Sequence, residues 1–271
     1  MLTRFTNIYT TSINFQNWLC NTHRMANVHP NLVIAAFNQS TCDHLHDSWN
    51  VTCISIYSAD DDAYVLSQFD STKLVWGQQA YINFLTLRAV ILDYLISNDI
   101  PVLLFETDAV WLRNPYEYFA EFSLFADIVT PVKGFEEKHL TLAFDPMLIR
   151  PTEASKDFFS LMATHLIDDS HLFDQDVLDS LCKSQHAGIH CDTFPWDDIA
   201  DGLWYKLPPA EQHAIHPYVI NNNFYSGIDA KITRQALNGQ WFLTVKKQCD
   251  RRRVIRFLEK YSNRTLDDGD S

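Results

Sequence analysis

The sequence predicts an α/β fold built on a mostly parallel sheet, and three observations predict it. Short apolar runs recur at residues 5–10, 32–37 and 53–58, with a helical pattern at 12–25 between the first two. That alternation is the mark of βαβ units. Next, an apolar stripe at helical spacing (Tyr81, Phe84, Leu85, Leu92, Leu95) runs through residues 78–97. Finally, after the break at Pro101, the stripe feeds the apolar run 102–105. A run so short and apolar, fed by a helix, reads as a strand covered on both faces. It stops at two carboxylates, Glu106 and Asp108. They therefore fall at the carboxyl edge of the sheet, where open α/β folds bind ligands.

The later elements follow in order. Residues 127–132 and 147–149 are strand candidates, and the second ends in Arg150-Pro151-Thr152. Thr152 suits the N-cap of a helix reaching about residue 165, with Glu153 in its first turn. A short helix is expected over 174–183, capped by Asp174. Residues 184–210, with Pro195, Pro208 and Pro209, read as loops over the active face. Residues 227–238 read as a helix ended by Gly239, then a strand at 241–245, and 267–271 as a disordered tail. The expected organisation is one domain over 1–250, then a basic segment and an acidic tail over 251–271.

With 271 residues, 46% of them hydrophobic, the chain has ample material for one large core. A net charge of −13 argues against a nucleic-acid partner, since phosphate backbones need a basic face. The basic stretch 246–256 reads as a solvated helix face. The sequence shows no uninterrupted apolar run of membrane-spanning length, so no span is expected, and the first residues do not form a signal peptide. The six cysteines lack the paired spacing of a zinc site. Their even number, with acceptor sequons beginning at Asn38, Asn50 and Asn263, favours a Golgi-lumenal or other secretory-pathway location over a cytoplasmic one. A leader or anchor is then expected outside this sequence.

Two acids one residue apart and flanked by apolar packing are costly unless something positive joins them. Oxygen ligands suit Mn²⁺ or Mg²⁺, which share their coordination between protein carboxylates and substrate phosphates. The bland alternative is a local salt bridge at Glu106 and a turn at Asp108.

The residues that follow narrow the choice. LLFETDAVWLRNP resembles the D-x-D-x-V-W-L-R-D/N-P signature of the nucleotide-diphospho-sugar transferase family, which includes plant cell-wall xylosyl- and galactosyltransferases. FTNIYTTSINFQNWLC is similar to that family's opening strand and helix, LRAVILDYLISNDIPVLLFE to the helix before its metal strand, and LIRPTEASKDFF to its Arg-Pro-Thr segment. FDQDVLDSLC resembles its Asp-Gln helix, and NNNFYSGIDAKITRQALNGQW its late His-x-Asn…Gly…Lys block. The resemblance implies a GT-A fold with a smaller irregular acceptor-side region. It also implies a glycosyltransferase that moves a sugar from a UDP-type donor to a glycan or glycoprotein, with Mn²⁺ or Mg²⁺ and retention of anomeric configuration.

Carried over residue by residue, the resemblance makes Asp108 a metal ligand. Glu106 contacts the metal through water, or the donor ribose. Thr6 and Asn7 line the nucleotide pocket, with Arg88 where a lysine is common, and Asn223, Gly227 and Lys231 fall on the late donor-binding motif. Asp174 and Gln175 match the pair near the sugar's reactive face, where Asp174 stabilises an oxocarbenium-like transition state or acts as transient nucleophile. A plain helix cap is its alternative role. Three departures stand out: Glu106 for the first Asp of the motif, Asn221 for the metal-binding His, and Ala143, Asp145 and Pro146 in place of Asn-x-Gly-Phe. His213 and His216 are weak substitutes for the missing imidazole. The departures leave open a catalytically inactive relative that binds a glycan or protein. A metal-dependent phosphohydrolase needs more acids and histidines at strand ends than are present.

Overall fold

The computed structural model describes residues 4–8, 13–36, 39–56, 77–122, 125–132, 141–223 and 227–262, with backbone alone at 4–8 and 262. The side chains of Thr6 and Asn7, the acceptors Asn38 and Asn263, and the expected tail lie outside the described residues.

Four strands pair in parallel at one side of a seven-stranded sheet: β1 (Arg4–Ile8), β2 (Leu32–Ala36), β3 (Thr52–Ser55) and β4 (Val102–Leu104). Beyond β4 lie β7 (Met147–Ile149), β6 (Ile128–Pro131) and β8 (Cys191–Phe194), giving the order β3-β2-β1-β4-β7-β6-β8. β7 runs antiparallel to both its neighbours. The α/β expectation therefore holds, with one reversed strand inside the sheet.

Both faces are covered, as the apolar run at 102–105 predicted. Leu103, Val129 and Leu148 point into one core with Phe15, Trp18 and Leu19 of α1 (Ile13–Thr22) and Phe119 of α4 (Tyr116–Phe122). Their neighbours Val102, Leu104, Ile128, Met147 and Ile149 point into a second core. That core also takes Ala89, Leu92 and Ile96 of α3 (Gln79–Ser97), Phe158, Phe159 and Met162 of α5 (Glu153–Asp168), and Leu178 of α6 (Asp174–Lys183). The side-chain period of two along each strand divides the residues between the faces. By length and composition α3 is long and apolar enough to cross a membrane, although Arg88 and Asp93 interrupt its apolar run. In the fold it packs against the sheet and buries Arg88 midway along its length.

Several local expectations change. Thr152 caps α5 as expected, exchanging bonds with Ser155 in a capping box. Asp174 is not the cap of α6: Phe173 holds that position, and Asp174 is the first helical residue. Residues 191–194 form strand β8 rather than loop; its Cys-Asp-Thr-Phe sequence buries only Phe194 and so shows no apolar run. Residues 241–245 form no strand. Phe242 and Leu243 are buried, but the segment makes an isolated bridge, Leu243 with Cys249, rather than a ladder, and the Phe242 amide donates to Asn17 Oδ1 at 2.6 Å.

A second, three-stranded sheet escaped the sequence altogether: β5 (Val110–Trp111), β10 (Val219–Ile220) and β9 (Ile199–Ala200). Two-residue strands carry no periodicity. Beneath this sheet packs α9 (Arg251–Ser262), an amphipathic helix that buries Val254, Phe257 and Tyr261 and turns its arginines outward. All six cysteines pair, as Cys20–Cys249, Cys42–Cys53 and Cys182–Cys191.

Candidate functional site

The acids that end the central strand sit in the turn between β4 and β5. Apolar burial on either side, from Phe105 to Ala109 and Val110, fixes that turn at the carboxyl edge of the large sheet. Asp108 is held from behind by a relay of buried amides. Gln235, on α8 (Ile228–Leu237), donates to the Asp108 carbonyl at 2.7 Å, and Asn17 of α1 donates to Gln235 Oε1 at 3.2 Å. The small sheet sets the partner strand: Ile220 lies opposite Val110, and the amide of Asn221 donates to the Ala200 carbonyl at 2.8 Å. Asp108 and Asn221 thus extend from neighbouring strands despite their separation in sequence.

Charged side chains converge on this turn from four further segments. Arg88 donates from Nε to Asp174 Oδ2 at 2.9 Å, contacts the same oxygen through Nη2, and reaches Glu106 Oε1 from Nη1 at 3.3 Å. Phe144 lies 4.1 Å beneath its guanidinium. Lys231 of α8 pairs with Asp108 Oδ2. Asp145, just before β7, accepts from Asn221 Nδ2 at both its carbonyl and its Oδ2, at 3.0 and 2.6 Å. Burial, then repulsion from Asp108, raises the Glu106 pKa; Arg88 and Lys231 oppose the rise. Burial, with Glu106 and Asp108 beside it, holds Asp145 well above the ordinary carboxylate range. Asp174 is raised by burial against the pull of Arg88. Burial lowers the Lys231 ammonium, but Asp108, Glu106 and Asp145 outweigh it and leave its pKa raised. The Tyr81 phenol, pushed up to about 12 by burial and then by Glu106, lies within reach of the same charges.

The cluster therefore gathers Arg88, Glu106, Asp108, Asp174, Asn221 and Lys231 from the sequence-predicted set. Gly227 sits at the N-cap of α8 with φ +94°, a conformation that needs glycine. Gln175 is half-buried beside Asp174, its amide donating to Asp174 Oδ1 at 2.8 Å. Asn223 uses its side-chain oxygen to accept from the Gly202 amide at 2.7 Å, shaping the loop. Thr6 pairs with Leu104 in the sheet, next to Asn7, at the same edge. His213 lies exposed on α7 (Pro209–Ala214), bonded to the Pro209 carbonyl. Sequence reasoning missed Tyr81, read as part of an apolar stripe, Gln235, and Asp145 as a site residue. For Asp145 the signal was available, as an acid at a position where the family pattern has none.

Among the described residues, no three His, Cys, Asp or Glu side chains converge as a metal cluster. The oxygen donors present nevertheless fit a hard cation. Asp108 Oδ1 and Asn221 Oδ1 are buried and have no hydrogen-bond partner, a state that costs about 1–3 kcal/mol per group unless a positive charge meets it. Four carboxylates (Glu106, Asp108, Asp145 and Asp174) face two cations, Arg88 and Lys231.

The family model for nucleotide-diphospho-sugar transferases matches residues 27–235. Mouse xyloside xylosyltransferase 1 superposes with a TM-score of 0.52 at 13% identity, over 83% of this chain and 99% of its own. The glycosyltransferase GlyE of Streptococcus pneumoniae gives 0.55 at 11% identity, over 97% of this chain and 64% of GlyE. The galactosyltransferase LgtC, solved with donor and acceptor sugar analogues, gives 0.52 at 12% identity, over 97% of this chain and 96% of LgtC. No curated protein sequence matches the chain. The shared architecture is the GT-A fold.

Proposed function

Because this chain belongs to the nucleotide-diphospho-sugar transferase family, we propose that it moves a sugar from a UDP-type donor to a glycan or glycoprotein acceptor, with retention of configuration and with Mn²⁺ or Mg²⁺. The observation that carries this reading is the pair of buried, unpartnered oxygens on Asp108 and Asn221, inside a cluster rich in carboxyl groups. Those two side chains would hold the ion, Glu106 serving directly or through water. When bound, the ion supplies positive charge for the departing diphosphate.

The chain's own residues supply the rest. Lys231, half-buried and charged, meets the diphosphate as a point charge and releases part of its hold on Asp108 as it does so. Gly227, at the start of the same helix, leaves the backbone open to close approach by phosphate. Thr6, Asn7 and Asn223 border the nucleotide. Asp174 is locked between Arg88 and the Gln175 amide, so it acts as a fixed negative charge toward an oxocarbenium-like transition state rather than as a free nucleophile. Residues 1–250 constitute the transferase domain in this reading, and the basic C-terminal segment that opens 251–271 packs onto it through α9. Three disulfides and the exposed acceptor Asn50 support a lumenal location.

A second reading, a non-catalytic relative, draws on one observation: both acids already engage cations of the chain itself, Glu106 with Arg88 and Asp108 with Lys231. Calorimetric titration of UDP with and without Mn²⁺, paired with a hydrolysis screen of nucleotide sugars, separates the two. Metal-dependent UDP binding that disappears in Asp108→Ala, with turnover of one donor, is the expected result. UDP binding without turnover of any donor favours the second reading, and no UDP binding under either condition refutes the first.

A further inference from the structure

Two departures from the family pattern, Asn221 and Asp145, touch each other. We propose that Asp145 is a positioning residue that holds the Asn221 amide so that its oxygen faces the divalent ion. This rests on the donor-site reading given above.

The amide has two N–H groups, and two acceptors of Asp145 take bonds from its nitrogen: the backbone carbonyl at 3.0 Å and carboxylate Oδ2 at 2.6 Å. Rotating the amide by half a turn would set Asn221 Oδ1 against two acceptors, so one orientation alone satisfies the pair. In that orientation Oδ1 is buried and without a partner. The backbone of Asn221 is fixed independently by its bond to the Ala200 carbonyl at 2.8 Å. The small sheet thus sets where residue 221 stands, and Asp145 sets which way its side chain faces. A neutral amide is a weaker ligand than imidazole for Mn²⁺. A carboxylate accepting from its N–H groups makes the amide oxygen more negative, as carboxylates do behind metal-bound histidines. The acid at 145 and the amide at 221 compensate one another.

The test is calorimetric titration of Mn²⁺ into the UDP-saturated full chain, for wild type, Asn221→Ala, Asp145→Ala, Asp145→Asn and the double alanine variant, with thermal melts of each before metal is added. Expected is a loss of roughly 10–100-fold in Mn²⁺ affinity for Asp145→Ala, the range for groups that support a metal ligand. Asp145→Asn, which still accepts through its own amide oxygen, recovers most of it. The double variant binds no more weakly than Asn221→Ala alone, because Asp145 acts through Asn221. Wild-type affinity in Asp145→Ala overturns the proposal and leaves the donor-site reading intact. So does equal loss in the Ala and Asn variants, or a further drop in the double variant, since Asp145 then acts by its own charge. Failure of the wild type to take up Mn²⁺ with UDP overturns both. If Asp145→Ala does not fold, Asp145→Ser, too short to reach the amide, takes its place with the same outcomes.

Discussion

Replacing Arg88 by methionine keeps the aliphatic length of the side chain and removes its charge. In the wild type the guanidinium is buried, grips Asp174 through Nε and Nη2, and reaches Glu106 through Nη1 at 3.3 Å. Its loss strands the buried Asp174 carboxylate and leaves the half-buried Glu106 without its cation, and breaking a buried pair from one side costs about 3–5 kcal/mol. The loss is expected to depend on pH in a definite direction. Asp174 and Glu106 already have raised pKa values in the folded state, and without Arg88 they rise further. A carboxylate raised on folding destabilises fully above its folded pKa and is relieved as pH falls through it. Each pH unit in that window returns up to about 1.4 kcal/mol per carboxylate. Urea unfolding of wild type and Arg88→Met at pH 7.5 and 5.0 measures the effect. The deficit at pH 5.0 is expected to be less than half that at pH 7.5. Arg88→Lys, which keeps the charge but not the fork, is expected to lose roughly 1.5–3 kcal/mol, the worth of a charged hydrogen bond. An equal deficit at both pH values would refute the electrostatic account and assign the loss to packing against Phe144. A deficit under about 1 kcal/mol would mean that Asp174 is not held in a dry site.

Two further outcomes follow from other parts of the fold. His29 stacks near Trp18, meets Trp49 edge-on and shares a 3.0 Å bond with Thr22, and burial and then His23 lower its pKa to about 4. The unfolded chain therefore takes the proton first, and stability drains away as pH falls from the ordinary value of 6.5 toward 4. Wild type is expected to lose about 2 kcal/mol more than His29→Gln between pH 7 and 4.5, measured by denaturant titration; parallel curves for the two proteins contradict this. Cys20–Cys249 closes a sequence separation of 229 and Cys182–Cys191 one of 9, so loop-closure entropy assigns them about 5 and 2.5 kcal/mol. Calorimetric melting of the two double-serine variants checks the order, and a larger loss at the shorter link would show that packing rather than chain entropy dominates.

The long elements were legible in the sequence because their patterns are strong. The helix at 79–97 and the strand that follows it declare themselves by period and by Pro101, and Thr152 announces α5 by its capping chemistry. The charged half of the site was legible for a different reason: Glu106 and Asp108 interrupt an apolar run, and Lys231 and Asp174 lie on quotable motifs. The polar half was not. Asn17 and Gln235 are ordinary amides in sequence, and their roles arise from contacts separated by more than a hundred residues. The small sheet was hidden for the same reason, since strands of two residues have no period to detect.

That small sheet has a consequence for how this chain tolerates change. Ile220 opposite Val110 spaces positions 221 and 108 as the jaws of a caliper are spaced, by backbone hydrogen bonds indifferent to side-chain identity. Side-chain exchanges at Val110 and Ile220 that preserve the pairing leave the gap between those jaws unchanged.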